Sequence, residues 1–187
     1  MEIWIPVAVI ALLLFWIIII YNGLIALKND VKNAWKQIDV QLKRRHDLIP
    51  NLVTVVKGYM DFERDTLERV TSARARAISA AGIREKISAE NSLSEALSRL
   101  FAVIENYPVL KSNENVMQLQ EELTTTENRI AFSRQLYNDL AANFATKIEV
   151  FPNNIISSLF GFHKAEFFSI EEIDKSLPAA DISTKAK

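Results

Sequence analysis

Apolar positions along the chain fall into distinct regimes. Residues 3–20, IWIPVAVIALLLFWIIII, are apolar without interruption, and a run of about 18 such residues is just long enough to cross the hydrocarbon core of a bilayer as a helix. From Leu24 to about Ala81 the apolar residues include Leu24, Val31, Trp35, Ile38, Leu42, Ile49, Leu52, Val56, Tyr59, Leu67, Val70 and Ile78. Steps of three and four are those of a packed helix seam. They predict one helix that continues the apolar run past Gly23 and stops at Gly82, extending roughly 85 Å beyond that run at 1.5 Å per residue. A second helix is expected after Ser88, through Leu93, Leu97, Leu100, Val103 and Ile104 to Tyr107, where Pro108 closes it. A third starts at the N-cap Asn113 and carries Val116, Leu119, Leu123, Ile130, Tyr137, Ala141, Phe144 and Ile148 until Phe151-Pro152 ends it.

Helices of unequal length joined by short polar turns make a bundle. The expectation is therefore an all-α chain: a transmembrane helix over residues 1–22 continuing into an elongated antiparallel three-helix bundle over 23–168, with a short helical and aromatic cap at its C-terminal end. Asn154–Leu159 reads as a short helical turn ended by Gly161. Phe160, Phe162, Phe167 and Phe168 are expected to cap the open end of the bundle, with a second membrane or partner contact as the alternative. The tail, 169–187, is expected to be partly disordered, since from Ser176 onward it has little to bury. Only four glycines and five prolines argue against a loop-rich or sheet-rich fold.

The apolar run reads as an anchor, not a cleaved leader. Glu2 precedes it where a leader would have basic residues, and YNGLIAL follows it where a small-residue cleavage site would stand. Lysines and arginines lie only on its C-terminal side, at Lys28, Lys32, Lys36, Lys43, Arg44 and Arg45. This asymmetry predicts a single-pass protein with its N-terminus outside and its bundle on the cytoplasmic side of the inner membrane. With 22 basic and 23 acidic residues there is no cationic surplus to neutralise phosphates, so no nucleic-acid partner is expected. The absence of cysteine excludes disulfides, thiolate zinc sites and a cysteine nucleophile, and leaves the compartment undecided.

Charged residues interrupt the apolar seams in both long helices. Arg45 falls between Leu42 and Ile49, Glu63 between Tyr59 and Leu67, and Glu127 and Arg134 fall among Leu123, Ile130 and Tyr137. An unpaired buried ion costs several kcal/mol. Arg45 is therefore expected to meet an acid across a helix interface, with Glu63, Glu127 and Arg134 forming further links in a polar layer that fixes register. Acid-base chemistry is the competing use of such residues. It lacks a partner set: His46 and His163 stand at unrelated positions, His163 and Glu166 alone make a weak metal signal, and no di-iron glutamate-histidine pairs, phosphate loop or serine elbow occurs. No catalytic, cofactor-binding or metal-ligating residue is assigned, and no cofactor is expected. Pro50 removes its own N–H and crowds the carbonyl of His46, so the helix is expected to bend there, with His46, Arg44 or water serving the freed carbonyl.

The segments YNGLIALKNDVKNAW, IDVQLKRRHDLIPNLVTVVKGY, ENYPVLKSNENVMQLQEELTTTENRIAFSRQLYND and FPNNIISSLFGF, in this order, resemble the LemA family of bacterial membrane proteins from Tyr21 to about Phe168. The resemblance implies an inner-membrane anchor carrying an elongated helical bundle, and implies no established catalytic residue set. Some members are encoded near membrane proteases, which implies a role in membrane protein quality control. The lysine-rich ending and Ala80–Ser88 are less typical of the family. The first expectation of function is a non-enzymatic scaffold that self-assembles and organises or remodels the bilayer, because Val40, Leu48, Val53, Val55 and Met60 widen the apolar face beyond one seam. The alternative is an accessory subunit of a membrane protein complex, such as a quality-control protease, with contacts through the aromatic C-terminal segment.

Overall fold

The computed structural model describes residues 3–59 and 63–168, and every regular element among them is a helix: α1 (Trp4–Lys57), α2 (Arg64–Ser79), α3 (Ile83–Ile104), α4 (Pro108–Lys111), α5 (Glu114–Glu149) and α6 (Asn153–Leu159). Met60 and the expected disordered tail lie outside the described residues. The apolar run and the first seam form one uninterrupted helix, with Gly23 inside it. Residues 4–16 are all exposed, and the 18-residue apolar window near the N-terminus of α1 is long and apolar enough to cross a membrane. Burial begins at Leu24 and recurs at Val31, Ala34, Ile38, Leu42, Arg45, Ile49, Leu52 and Val56.

The predicted first helix is in fact two. It ends at Lys57, where Tyr59 N–H tightens the last turn onto the Val56 carbonyl, and the chain returns as α2, antiparallel to α1. The three-helix expectation therefore becomes a bundle of four long helices, α1, α2, α3 and α5. Folding back buries Leu67, Val70, Ala73 and Ala77, which a straight helix to Ala81 would have carried past every partner. Burial stabilises by roughly 1.5–3 kcal/mol for each of Leu67 and Val70, against about 1 kcal/mol net for each helical hydrogen bond given up. Periodicity does not register the reversal, because both arms pack on the same core.

α3 starts at Ile83, ahead of the expected Ser88 cap. Gly82, at φ +89°, takes the left-handed conformation before it, and the Glu85 carboxylate accepts from Ala81 N–H at 2.9 Å. Ile83 and Ile87 pack into the core and extend the helix backwards. Pro108 opens the single turn α4, which buries Leu110. Asn113 caps α5 as expected, its Oδ1 accepting from Asn115 and Val116 N–H.

α1 and α5 run antiparallel along the length of the bundle, placing Tyr21 beside Phe160, Trp35 against Tyr137 and Arg45 opposite Glu127. Two apolar clusters result. One joins Ile49, Leu52 and Val56 to Val70, Leu93, Leu100 and Leu123 from all four long helices. The other joins Leu24, Ile38 and Leu42 to Ile130, Tyr137 and Phe144, and is completed by Phe168 from the segment after α6. That segment turns back at Gly161, φ +68°, and lies along α5 as a strap. Phe168 N–H donates to Asn138 Oδ1 at 2.8 Å, Asn138 Nδ2 returns a bond to the Phe168 carbonyl at 3.0 Å, and Tyr137 O–H donates to the Glu166 carbonyl at 2.6 Å. The four phenylalanines thus do more than cap an open end: Phe162 and Phe168 fill the side of the bundle, while Phe160 and Phe167 stay half exposed.

α1 passes through Pro50 without a break. The donor for the freed His46 carbonyl is none of those expected; it is Arg74 of α2, whose Nε–H donates at 2.7 Å. Arg74→Ala is expected to lower the unfolding free energy by about 1–3 kcal/mol, and by less in a Pro50→Ala background, where residue 50 can donate to His46 itself. Equal losses in both backgrounds, measured by denaturant unfolding in detergent, would separate Arg74 from the proline.

Candidate functional site

Between the two apolar clusters lies one polar layer. α1 contributes Arg45, one turn from both Leu42 and Ile49; α5 contributes Glu127, midway between Leu123 and Ile130; α3 contributes Glu90, between Ile87 and Leu93. Arg45 is 1 % exposed and Glu90 fully buried. Arg45 Nη1 donates to Glu127 Oε2 at 2.8 Å and lies 3.8 Å from Glu90 Oε2; its Nη2 donates to the Glu90 carbonyl at 3.1 Å and to Ser94 Oγ at 2.9 Å. His46 Nε2 is 2.7 Å from Glu90 Oε1. A carboxylate only accepts, so with Glu90 ionised the imidazole carries a proton on that nitrogen.

Arg134, one step along the α5 seam, stacks its guanidinium 4.4 Å above the Phe168 ring. Burial lowers its pKa first; Glu127 opposes the shift, and Arg45 adds to it. Of the charges of the layer only Arg45 and Glu90 are buried, while Glu127 and Arg134 are partly exposed; the acids beside Arg45 make its burial tolerable, since an isolated ion here would carry a penalty of several kcal/mol. Lys86 and Asp39, 2.7 Å apart, flank the layer at the protein surface.

Of the residues singled out from the sequence, Arg45 and Glu127 do pair, at 2.8 Å, whereas Arg134 lies nearby without a bond to either acid: among the described residues its buried Nε and Nη2 have no hydrogen-bond partner. Glu63 does not join them: it precedes α2, and its side chain makes no capping bond. His163 and Glu166 are exposed on the strap, and no group of three metal-ligating side chains occurs among the described residues. Glu90, the most deeply buried acid, escapes the sequence reading because a helix starting after Ser88 puts it in a solvated first turn. Counting back from Leu97 and Leu93 to Ile87 would have placed it on the seam. A groove of about 260 Å³ between α3 and α5, lined by Leu97, Phe101, Leu123 and Glu127, reaches Arg45. The guanidinium there is hydrogen-bonded to the Glu127 carboxylate, the Glu90 carbonyl and the Ser94 hydroxyl, with the Glu90 carboxylate 3.8 Å away.

The model of the LemA family matches residues 34–181. The chain belongs to the LemA family. The match takes in Arg45, Glu90, Glu127, Arg134 and the strap. Among curated proteins the chain is similar to Magnetosome protein MamQ 2 of Paramagnetospirillum magneticum, 24 % identical over 79 % of this chain and 64 % of that protein. It is also similar to Protein LemA of Metamycoplasma hominis, 27 % identical over 82 % of this chain and 71 % of that one, and to Magnetosome protein MamQ of Magnetospirillum gryphiswaldense, 22 % identical over 89 % and 72 %. The chain spans about 64 % of the length of the first two magnetosome relatives it matches.

In this LemA-family bundle Glu90→Ala is expected to lower the unfolding free energy by about 3–5 kcal/mol, because it leaves Arg45 short of a buried counter-charge, while Arg45→Met with Glu90→Leu recovers much of the loss. A cost below about 1 kcal/mol for the single variant would show that the layer does not hold the bundle. Tyr137 gives a pH signature. Burial, and then the Glu166 carboxylate, raise its pKa above 10.0. The folded state therefore holds the proton more tightly than the unfolded chain, and this stability is complete below about pH 10 and lost as pH rises through the raised value. Tyr137→Phe should flatten that alkaline decline in thermal melts; an unchanged decline would place its origin elsewhere.

Proposed function

We propose that this chain is a membrane-anchored scaffold without enzymatic activity, held in a bacterial inner membrane by the N-terminal part of α1, with its bundle on the cytoplasmic side, and that it self-assembles to organise or remodel the membrane. The observation that carries this reading is the continuity of α1: 54 residues run from the exposed apolar stretch into the centre of the bundle without a hinge. A helix that shares its hydrogen-bond ladder between the span and the core transmits orientation from one to the other. The basic residues Lys28, Lys32, Lys36, Lys43 and Arg44 on the bundle side support the cytoplasmic placement. The absence of enzymatic activity is supported by the polar layer, in which the buried Arg45 is held by Glu127 and Glu90.

Self-assembly draws on a narrower surface than the sequence suggested. Leu48, Val53 and Val55 are partly buried against the core, whereas Val40 is 63 % and Phe132 70 % exposed. These two stand at the same level on adjacent helices, since Trp35 meets Tyr137 and Arg45 meets Glu127 on either side of them. The alternative reading, an accessory subunit of a membrane protein complex such as a quality-control protease, is favoured by a groove of about 560 Å³ between the start of α3 and the strap, lined by Arg84, Ile87, Lys164 and the half-exposed Phe167. Light scattering of the full chain in detergent or nanodiscs is expected to give more than one copy, and Val40→Glu with Phe132→Glu to shift the mass to a single copy. A wild-type monomer that crosslinks from Phe167 to another membrane protein would replace the scaffold with the accessory subunit.

A further inference from the structure

α5 returns alongside α1 toward the proposed membrane, so that Ile148 shares a core with Leu24. Beyond Glu149 the chain makes a loop whose thirteen residues, Val150–Phe162, carry no charged side chain. Within it Phe151, Ile155 and Leu159 recur four residues apart and are 78 %, 58 % and 73 % exposed, with Val150 and Phe160 beside them about half exposed. The opposite side of the same loop is bound to the bundle. Ile156 and Ser157 are buried, and Ser157 Oγ–H donates to the Ile148 carbonyl at 2.7 Å. Single exposed apolar residues are ordinary, but a contiguous charge-free group on a rigid loop marks a surface that something covers.

Its position says what covers it. The Phe160 ring lies 4.8 Å from that of Tyr21, the first residue after the apolar run of α1, so the loop stands level with the water–lipid boundary of the span. Aromatic and aliphatic side chains facing outward at that level meet the lipid surrounding α1. Just past the loop, Lys164 pairs with Glu149, and Lys28 sits 5.8 Å from the Phe162 ring; both cations lie on the bundle side, as headgroup contacts would.

We infer that Val150–Phe160, with α6 at its centre, is a second membrane contact: it beds Phe151, Ile155 and Leu159 in the bilayer interface beside α1 and, with the span, fixes the tilt of the bundle. This rests on the reading of α1 as a membrane anchor. The chain has no cysteine, so single spin labels can be placed at Ile155→Cys, at Ile10→Cys in the span and at Glu68→Cys on the exposed face of α2, in full-length protein reconstituted in phosphatidylcholine–phosphatidylglycerol vesicles. The expected result is that the Ile155 label, like the Ile10 label, collides several-fold less with a water-soluble nickel chelate than the label at position 68 does, and remains open to oxygen. An Ile155 label as accessible to the chelate as that at position 68, with Ile10 still in lipid, overturns the second contact and leaves the anchor standing; a water-exposed Ile10 label overturns both. Exclusion of both reagents at Ile155, with dipolar broadening that vanishes on dilution with unlabelled protein, overturns the lipid contact in favour of a second copy.

Discussion

A guanidinium buried between two hydrocarbon clusters is the constraint on which the rest of the structure depends. Arg45 cannot leave its place on α1 without exposing Leu42 or Ile49 one turn away, and it cannot stay without acids delivered from elsewhere. Glu127 of α5 and Glu90 of α3 supply them, at 2.8 Å and 3.8 Å. Each acid is itself flanked by core residues of its own helix. A slip of α3 or α5 by one turn would leave ions facing Leu93 or Ile130, so one polar layer sets the alignment of three helices.

The lock matters because the helix it holds is long. α1 has no side-chain cap at its N-terminus, and its stability comes from tertiary packing along one stripe. Pro50 falls within the packed half of that stripe. The hydrogen bond lost there is replaced from α2, by Arg74, which ties the return arm to the place where α1 is weakest. One element therefore repairs another, and the uninterrupted rod from the apolar stretch to Val56 is a property of the assembled bundle.

The strap does for the other half of the bundle what α2 and α3 do for the first. Where only α1 and α5 run side by side, Phe162 packs against Tyr21 and Phe144, and Phe168 against Trp35. Asn138 holds the strap through both of its amide groups. Extended backbone cannot satisfy its own hydrogen bonds, and this side-chain pairing lets a non-helical segment lie against a helical core.

Periodicity along the chain determined the all-α class, the seams of α1 and α5 and the caps at Asn113 and Gly161, because each of these depends on residues within a turn or two of one another; it also placed Arg45 where an acid from another helix is needed, but not which acid. The strap, the return of α2 along α1, the start of α3 at Ile83, the capture of the His46 carbonyl by Arg74 and the burial of Glu90 were decided by tertiary structure. Each follows from which surface a segment meets across the bundle: Leu67 and Val70 keep the same three- and four-residue rhythm whether the helix runs on or turns back, and Glu90 reads as an ordinary exposed acid until Arg45 and His46 converge on it. Local sequence specifies a helix and its apolar face. Only the balance of burial and charge among several helices selects where that helix stops and which ions it must enclose.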